Sequence, residues 1–165
     1  MKKTQSAFSE EIKKVLMDIL NNEKIMVLAT SFNDKPWATP VIYAWDGKNK
    51  FYFLSRNTTR HAENISKNSN ASASIFLREL RPLKGIQMEG KIKILKGKEN
   101  LRGLKIYMKK FPRVKERLPF LKEIIEKRKE FNFFEFEIEK IYLLSEEHFG
   151  WGKREDVTNL LKNES

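Results

Sequence analysis

Residues 24–55, KIMVLATSFNDKPWATPVIYAWDGKNKFYFLS, place the tightest bound on what this chain can fold into. Three apolar runs of strand length are separated by two short segments of Asn, Asp, Lys and Gly. Residues 37–45 alternate: Trp37, Thr39, Val41, Tyr43 and Trp45 share one face, and Ala38, Pro40, Ile42 and Ala44 the other. Strands joined by such short turns pair antiparallel, because a parallel partner needs a long crossover. The sheet is therefore expected to open as a meander. Pro40 has no N–H to give a ladder, so it predicts a strand edge or a bulge with backbone groups left free. The small face around it leaves room for something flat.

The rest of the chain repeats this logic at longer range. Phe8, Ile12, Val15, Leu16, Ile19 and Leu20 recur at helical spacing, with Ser6 or Ser9 as candidate caps. A short helix is expected around Arg60–Lys67 and a strand over 71–77. In the strand 83–95, Ile86, Met88, Ile92 and Ile94 oppose Gln87, Glu89, Lys91 and Lys93. Residues 99–129 read as helix in two pieces, interrupted at Phe111–Pro112 and at Pro119. A last strand spans 131–144, with Phe134, Phe136 and Ile138 aligned. The pattern predicts a mainly β, α+β architecture with mostly antiparallel strands and a barrel. The 165 residues suit one domain, 1–165.

Several functional classes lose support at once. With no cysteine, thiolate nucleophiles, disulfides and Cys-ligated metals are excluded. His61 and His148 are far apart and lack metal-ligand spacing, and neither a Gly-x-Gly-x-x-Gly nor a phosphate-binding P-loop occurs. The N-terminal lysines precede no signal-peptide core and no apolar run is long enough to span a bilayer, so a cytoplasmic protein without a membrane partner is expected. The formal charge of +11 is concentrated: residues 96–129 hold thirteen Lys/Arg against four Glu, a net +9. A charge run of this kind is ordinarily a solvated helix face, and nucleic acid is not the expected partner, although such a surplus can hold a polyanion.

The stretch SRNTTRHAENI (55–65) stands apart. It ends a strand and starts a helix, where orphan N–H groups and the helix dipole favour an anion. Ser55 and Thr59 add hydroxyls, and Arg56 and Arg60 add charge and forked donors suited to phosphate. The plainer alternative is that Thr58 or Thr59 caps the helix, with both arginines in solvent. Gln87, a polar amide in an alternating strand, is either solvent-facing or a ligand contact.

Taken in order, these pieces resemble the pyridoxamine 5′-phosphate oxidase-like superfamily of FMN-binding split barrels. The likeness covers roughly residues 20–95 and 131–154. VLATSFNDKPWATPVIYAWDGKNKFYFLS is similar to the family's opening strands, and TTRHAENISKNSNASASI to its phosphate-binding Ser-Arg-Lys segment. Thr59 stands for the serine and Arg60 for the arginine, while His61 occupies the place of a common lysine. GIQMEGKIKIL looks like the strand that brings a glutamine to the flavin, and HFGWGKRE like the tail of small members.

The resemblance implies a six-stranded antiparallel split barrel with an N-terminal helix and a basic helical insertion at about 99–129. It further implies a homodimer with FMN sites at the subunit interface. The phosphate would rest on Ser55, Arg56, Thr59, Arg60 and His61, and the ring along the backbone of Pro40, Val41, Ile42 and Tyr43. Gln87 would stand near the ring's edge, and Trp151 from the second subunit's tail would close the site. Relatives binding heme or a deazaflavin make those the alternative cofactors. A flavin-dependent oxidoreductase acting on a small molecule is the first reading, a non-turnover flavin or heme sensor or carrier the second, and a basic nucleic-acid-binding module, resting only on the +9 segment, the third. The Trp- and Arg-bearing C-terminal pattern of the oxidase proper is not recognisable in GWGKRE, so pyridoxamine phosphate is not the expected substrate.

Overall fold

The amphipathic stripe at the N-terminus forms helix α1 (Gln5–Asn22), burying Ile12, Leu16, Ile19 and Leu20. The computed structural model describes residues 5–78, 81–127 and 130–162. Ser6 and Ser9, the expected caps, lie within the helix, which already includes Gln5, so neither is its N-cap. The meander follows as β1 (Ile25–Phe32), β2 (Lys35–Trp45) and β3 (Lys50–Arg56). Asn33 and Asp34 take positive φ, 51° and 57°, in the two-residue β1–β2 turn. Such a turn suits the right-handed twist of the flanking strands. Helix α2 (Arg60–Lys67), β4 (Asn70–Phe76) and β5 (Lys84–Ile94) come next.

Closure is long-range. Strand β6 (Phe131–Ser145) pairs with β5 along most of its length and with β3 through its first half. The order β3-β2-β1-β4-β5-β6 thus returns to β3, giving the six-stranded antiparallel closed barrel. Where β5 meets β6 the register jumps from Glu89–Lys140 to Gly90–Ile138, leaving Glu139 as the extra residue of a bulge. Bulges increase the local twist, which helps a sheet curl into a barrel. A short seventh strand, β7 (Arg154–Asp156), adds to the outer edge of β6. It falls in the tail where no strand was expected, since three residues carry no legible period.

Alternation decides what is inside. Met26, Leu28, Val41, Tyr43, Phe51, Phe53, Ile86, Met88, Ile92, Phe134 and Phe136 meet in the barrel, with α1 packed on them. The inserted segment comprises α3 (Lys98–Lys110), a 3₁₀ turn (Pro112–Arg117), α4 (Leu118–Lys122) and a π turn (Glu123–Lys127). Phe111–Pro112 breaks it as expected. Pro119 instead lies in the first turn of α4, where its missing N–H costs no hydrogen bond. The expected helical end at 128–129 lies outside the described residues. The segment covers the outer side of β3 and β6, so Tyr52, Leu95, Leu104, Ile125 and Phe133 form a second core there. Ala44, on the small face of β2, is buried too. Helix α5 (Glu146–Phe149) and helix α6 (Asn159–Lys162) flank β7. Among the described residues no helix is long and apolar enough to cross a membrane.

Candidate functional site

Strand β2 is only partly paired on one of its sides. Its ladder with β1 runs from Ile25–Ile42 to Phe32–Lys35, whereas its ladder with β3 comprises only Tyr43–Phe53, Ala44–Tyr52 and Trp45–Phe51. The Tyr43 N–H donates to the Lys24 carbonyl on the β1 side, and the Asp46 N–H donates to Lys50 on the β3 side. By strand alternation the backbone groups of Ile42, Pro40 and Ala38 therefore face the unpaired β3 side. A proline on this edge leaves no N–H stranded, the arrangement its place in a strand predicted. Tyr107 of α3 reaches the same edge, its hydroxyl donating to the Ile42 carbonyl at 3.4 Å.

The end of β3 and the start of α2 stand across from this edge. Thr59 is the N-cap of α2, its Oγ1 accepting from the Ala62 N–H at 3.4 Å and donating to the Arg56 carbonyl at 3.0 Å. His61 Nε2 lies 2.7 Å from Ser55 Oγ and 3.1 Å from Thr59 Oγ1, and the two hydroxyls are 3.3 Å apart. Ser55 and His61 are buried, with the imidazole against Phe53 and Phe134. Burial lowers the His61 pKa, so near pH 7 it is a neutral imidazole. Its contribution is to brace Thr59 from below rather than to supply charge.

The two arginines part company. The Arg60 guanidinium stacks over the Trp37 ring at 4.4 Å, joining the start of α2 to the open stretch of β2. Arg56 turns toward β6 instead, 4.9 Å over Phe131 and 3.8 Å from Glu130. The reason is alternation: Ser55 points inward, so Arg56 must point outward, beside its ladder partner Phe131.

The remaining expected contacts lie elsewhere. The Val41 and Tyr43 side chains are in the core, and Tyr43 donates its hydroxyl to the Leu20 carbonyl at 3.1 Å. Burial, aided by the Glu23 charge, keeps that phenol protonated far above neutral pH. What β2 can offer a ligand is therefore its backbone and its exposed Pro40 and Ile42. Gln87 faces outward in the row Pro40–Val27–Ser74–Gln87, about 14 Å from Pro40 at the usual strand spacing. Its Oε1 accepts from Arg154 of β7, and Trp151, 77% exposed, sits in the turn before that strand. A single chain thus brings Ser55, Thr59, Arg60 and His61 together with the edge of β2, but not Gln87 or Trp151. Sequence reasoning missed Trp37 as a partner of Arg60, and Arg154 as the partner of Gln87. An exposed Trp on an alternating strand was the only signal for the first.

Between these sectors lies an apolar outer face. Ile25, Val27, Ile42 and Phe76 are each about half exposed on adjacent strands β1, β2 and β4. Among the described residues no group of three or more His, Asp or Glu side chains could hold a metal ion.

A family model described as pyridoxamine 5′-phosphate oxidase matches residues 12–145, most of the chain and all six barrel strands. The chain belongs to the pyridoxamine 5′-phosphate oxidase family. Among curated relatives it is 28% identical over 81 residues to a UPF0306 protein of Pasteurella multocida, covering 47% of this chain and 54% of that protein. The chain thus spans about half the length of that relative. Among solved structures, a heme-binding protein from Mycobacterium smegmatis superposes with a TM-score of 0.66 at 16% identity, over 96% of this chain and 59% of that one. An FAD-binding protein from Mesorhizobium loti gives 0.57 at 17% identity, over 76% of this chain and 88% of that one. These likenesses establish the fold that the family shares.

Proposed function

We propose that this family member binds FMN and is a flavin-dependent oxidoreductase, its domain spanning residues 1–165 with the basic helical segment as an insertion. The observation that carries this reading is the unpaired edge of β2 facing the start of α2, with Trp37 and Arg60 joined between them. Arg60, the exposed Thr58 and the first-turn N–H groups of α2 would hold the phosphate, and Ser55 and His61 would fix Thr59 behind it. An anion there also removes the conflict between a cationic residue and the positive end of the helix. Arg56 would join only by leaving Phe131. The ring would lie along Ala38–Ile42, where the free backbone groups of β2 can donate and accept. FMN, when bound, supplies hydride and electron transfer, and the protein positions it and sets its electrostatic surroundings.

Gln87 and Trp151 fit this scheme through a second copy of the chain. The apolar face of Ile25, Val27, Ile42 and Phe76 adjoins the edge of β2 and would be covered in a homodimer. The partner's tail could then reach the flavin. Heme finds less support. His61 Nε2 is committed to Ser55 and Thr59, and His148 bonds Ser145 through Nδ1 with Nε2 3.7 Å from Glu11.

The test is titration of the apoprotein with FMN and with riboflavin, which lacks the phosphate. Arg60→Ala should weaken FMN more than tenfold, in line with about 1.5–3 kcal/mol for a charged hydrogen bond. Riboflavin binding should not change. If the protein takes up no FMN, or if Arg60→Ala binds it like wild type, this assignment fails. Reduction of the bound flavin by NADH or NADPH then separates an oxidoreductase from a carrier.

A further inference from the structure

The basic segment is better organised than its composition requires. In α3, Lys98, Arg102, Lys105 and Lys109 follow one another at intervals of four, three and four residues. At 100° per residue they fall within about 60° of one another, a straight stripe about 16 Å long. The opposite side of the helix carries its buried residues Asn100, Gly103 and Leu104. Gly103 sets the distance: a Cβ there would lie 2.7 Å from the Phe133 side chain, so α3 rests flush on β6. Asn100 fixes the rotation by accepting from the Phe133 N–H at 2.8 Å and donating to Asn132 at 3.0 Å. The stripe therefore points outward on a rigid mount.

Its charges are arranged unlike those on the barrel. There, Lys50, Lys84, Lys91 and Lys140 all pair with glutamates, at 2.8, 2.7, 3.5 and 3.7 Å. Among the described residues, Lys98, Arg102, Lys105 and Lys109 make no ion pair within 4.0 Å, although the Arg102 guanidinium lies 6.0 Å from the centre of the Tyr52 ring and its charge acts on Glu135. Nor do Arg113, Lys115, Arg117 and Lys122 beyond them, and all eight side chains are exposed. Like charges three and four residues apart weaken a helix, and solvation alone would be met equally well by alternating signs. Farther along the same segment Phe120 is 55% exposed.

We infer that this surface binds single-stranded nucleic acid, with phosphates along the α3 stripe and a base stacked on Phe120. Single strands suit a cationic track combined with an exposed aromatic ring, which accepts any base. A membrane is the weaker fit, because a helix lying on a bilayer turns its apolar side outward and α3 turns its own onto the barrel. This function is separate from the proposed flavin site, because Tyr107, which reaches the β2 edge, lies on the side of α3 opposite the stripe.

The experiment is fluorescence anisotropy with a labelled 20-nucleotide oligouridylate and its DNA counterpart, using the whole protein from 50 to 300 mM salt. Engagement of three or four phosphates predicts a log–log salt slope of about −2 to −3. Lys98→Gln/Arg102→Gln/Lys105→Gln/Lys109→Gln should bind at least tenfold more weakly with a shallower slope. Phe120→Ala should lose about fivefold or more at unchanged slope. Lys91→Gln/Lys140→Gln, which removes paired charges from the barrel, should match wild type. If the fourfold variant does not fold, Arg113→Gln/Lys115→Gln/Arg117→Gln is expected to weaken binding in the same direction. Absence of binding at 50 mM salt, equal binding by folded stripe variants, or binding to anionic vesicles but not to oligonucleotides would each overturn the inference.

Discussion

Replacing Lys50 with methionine should destabilise the protein by about 2–3 kcal/mol, starting from the usual 3–5 kcal/mol for breaking a buried ion pair. Lys50 Nζ lies 2.8 Å from Glu135, whose side chain is 5% exposed. The other carboxylate oxygen accepts from the Tyr52 hydroxyl at 2.8 Å. Burial alone would raise the Glu135 pKa, but the hydrogen bonds of Lys50 and Tyr52, with the charges of Lys50 and Arg102, hold it below its ordinary value. Methionine keeps the aliphatic length of Lys50 and leaves the carboxylate with the Tyr52 hydrogen bond and the charge of Arg102. The Tyr52 bond and the partial exposure of Lys50, at 22%, reduce the loss. Urea unfolding at pH 7 of Lys50→Met, Glu135→Gln and the double variant measures the coupling, expected at about 1.5–2.5 kcal/mol. The sign with pH also follows. An acid held below its unfolded pKa stabilises above that value, and the benefit fades as pH falls through the folded pKa. The gap between wild type and Lys50→Met should therefore narrow below about pH 4.5. A loss under about 0.5 kcal/mol, or single effects that simply add, would refute this account of the charge cluster beneath α3.

Gly90→Ala should cost roughly 3 kcal/mol or more in urea unfolding, since its Cβ would sit 2.0 Å from the Glu137 carbonyl oxygen at the β5–β6 bulge. Lys110 bonds the Leu20 carbonyl at 3.2 Å and also the Glu23 carbonyl, and burial lowers its pKa to about 8 against the opposing pull of Glu23. The unfolded chain then binds the extra proton from about pH 8 upward, so stability relative to Lys110→Met should rise with pH; urea midpoints at pH 7.5 and 9.5 would reveal it. Trp37→Ala should weaken FMN binding alongside Arg60→Ala, and a double-mutant cycle by FMN titration should return less than the sum of the two losses. Independent effects would mean that the Trp37–Arg60 contact does not organise the site.

Much was legible in residues 24–67 because the information there is local. Two-residue periodicity gives β2, apolar runs bounded by short turns give β1 and β3, Thr59 as a candidate cap marks the start of α2, and Pro40 marks an edge or a bulge, since it has no N–H to give a ladder. Even the inward side of the barrel follows, because a strand has only two faces. Ser55, Thr59 and His61 needed no tertiary structure to come together, lying within seven residues of one another across a strand end and a helix start.

What the tertiary structure decided is pairing between distant segments and the direction in which individual side chains leave the backbone. Nothing in FNFFEFEIEKIYLL says that one strand serves both β3 and β5, because either neighbour satisfies the same alternation. The β2–β3 ladder ends at Tyr43–Phe53 because β3 leaves to follow β6, and that divergence creates the unpaired edge. Arg56 and Arg60, similar in sequence, separate because one sits at an outward strand position beside Phe131 and the other opens a helix that packs toward Trp37. The cationic spacing of α3 was readable, but its use was not: only the docking of Gly103 and Asn100 on β6 turns that stripe to solvent and holds it there.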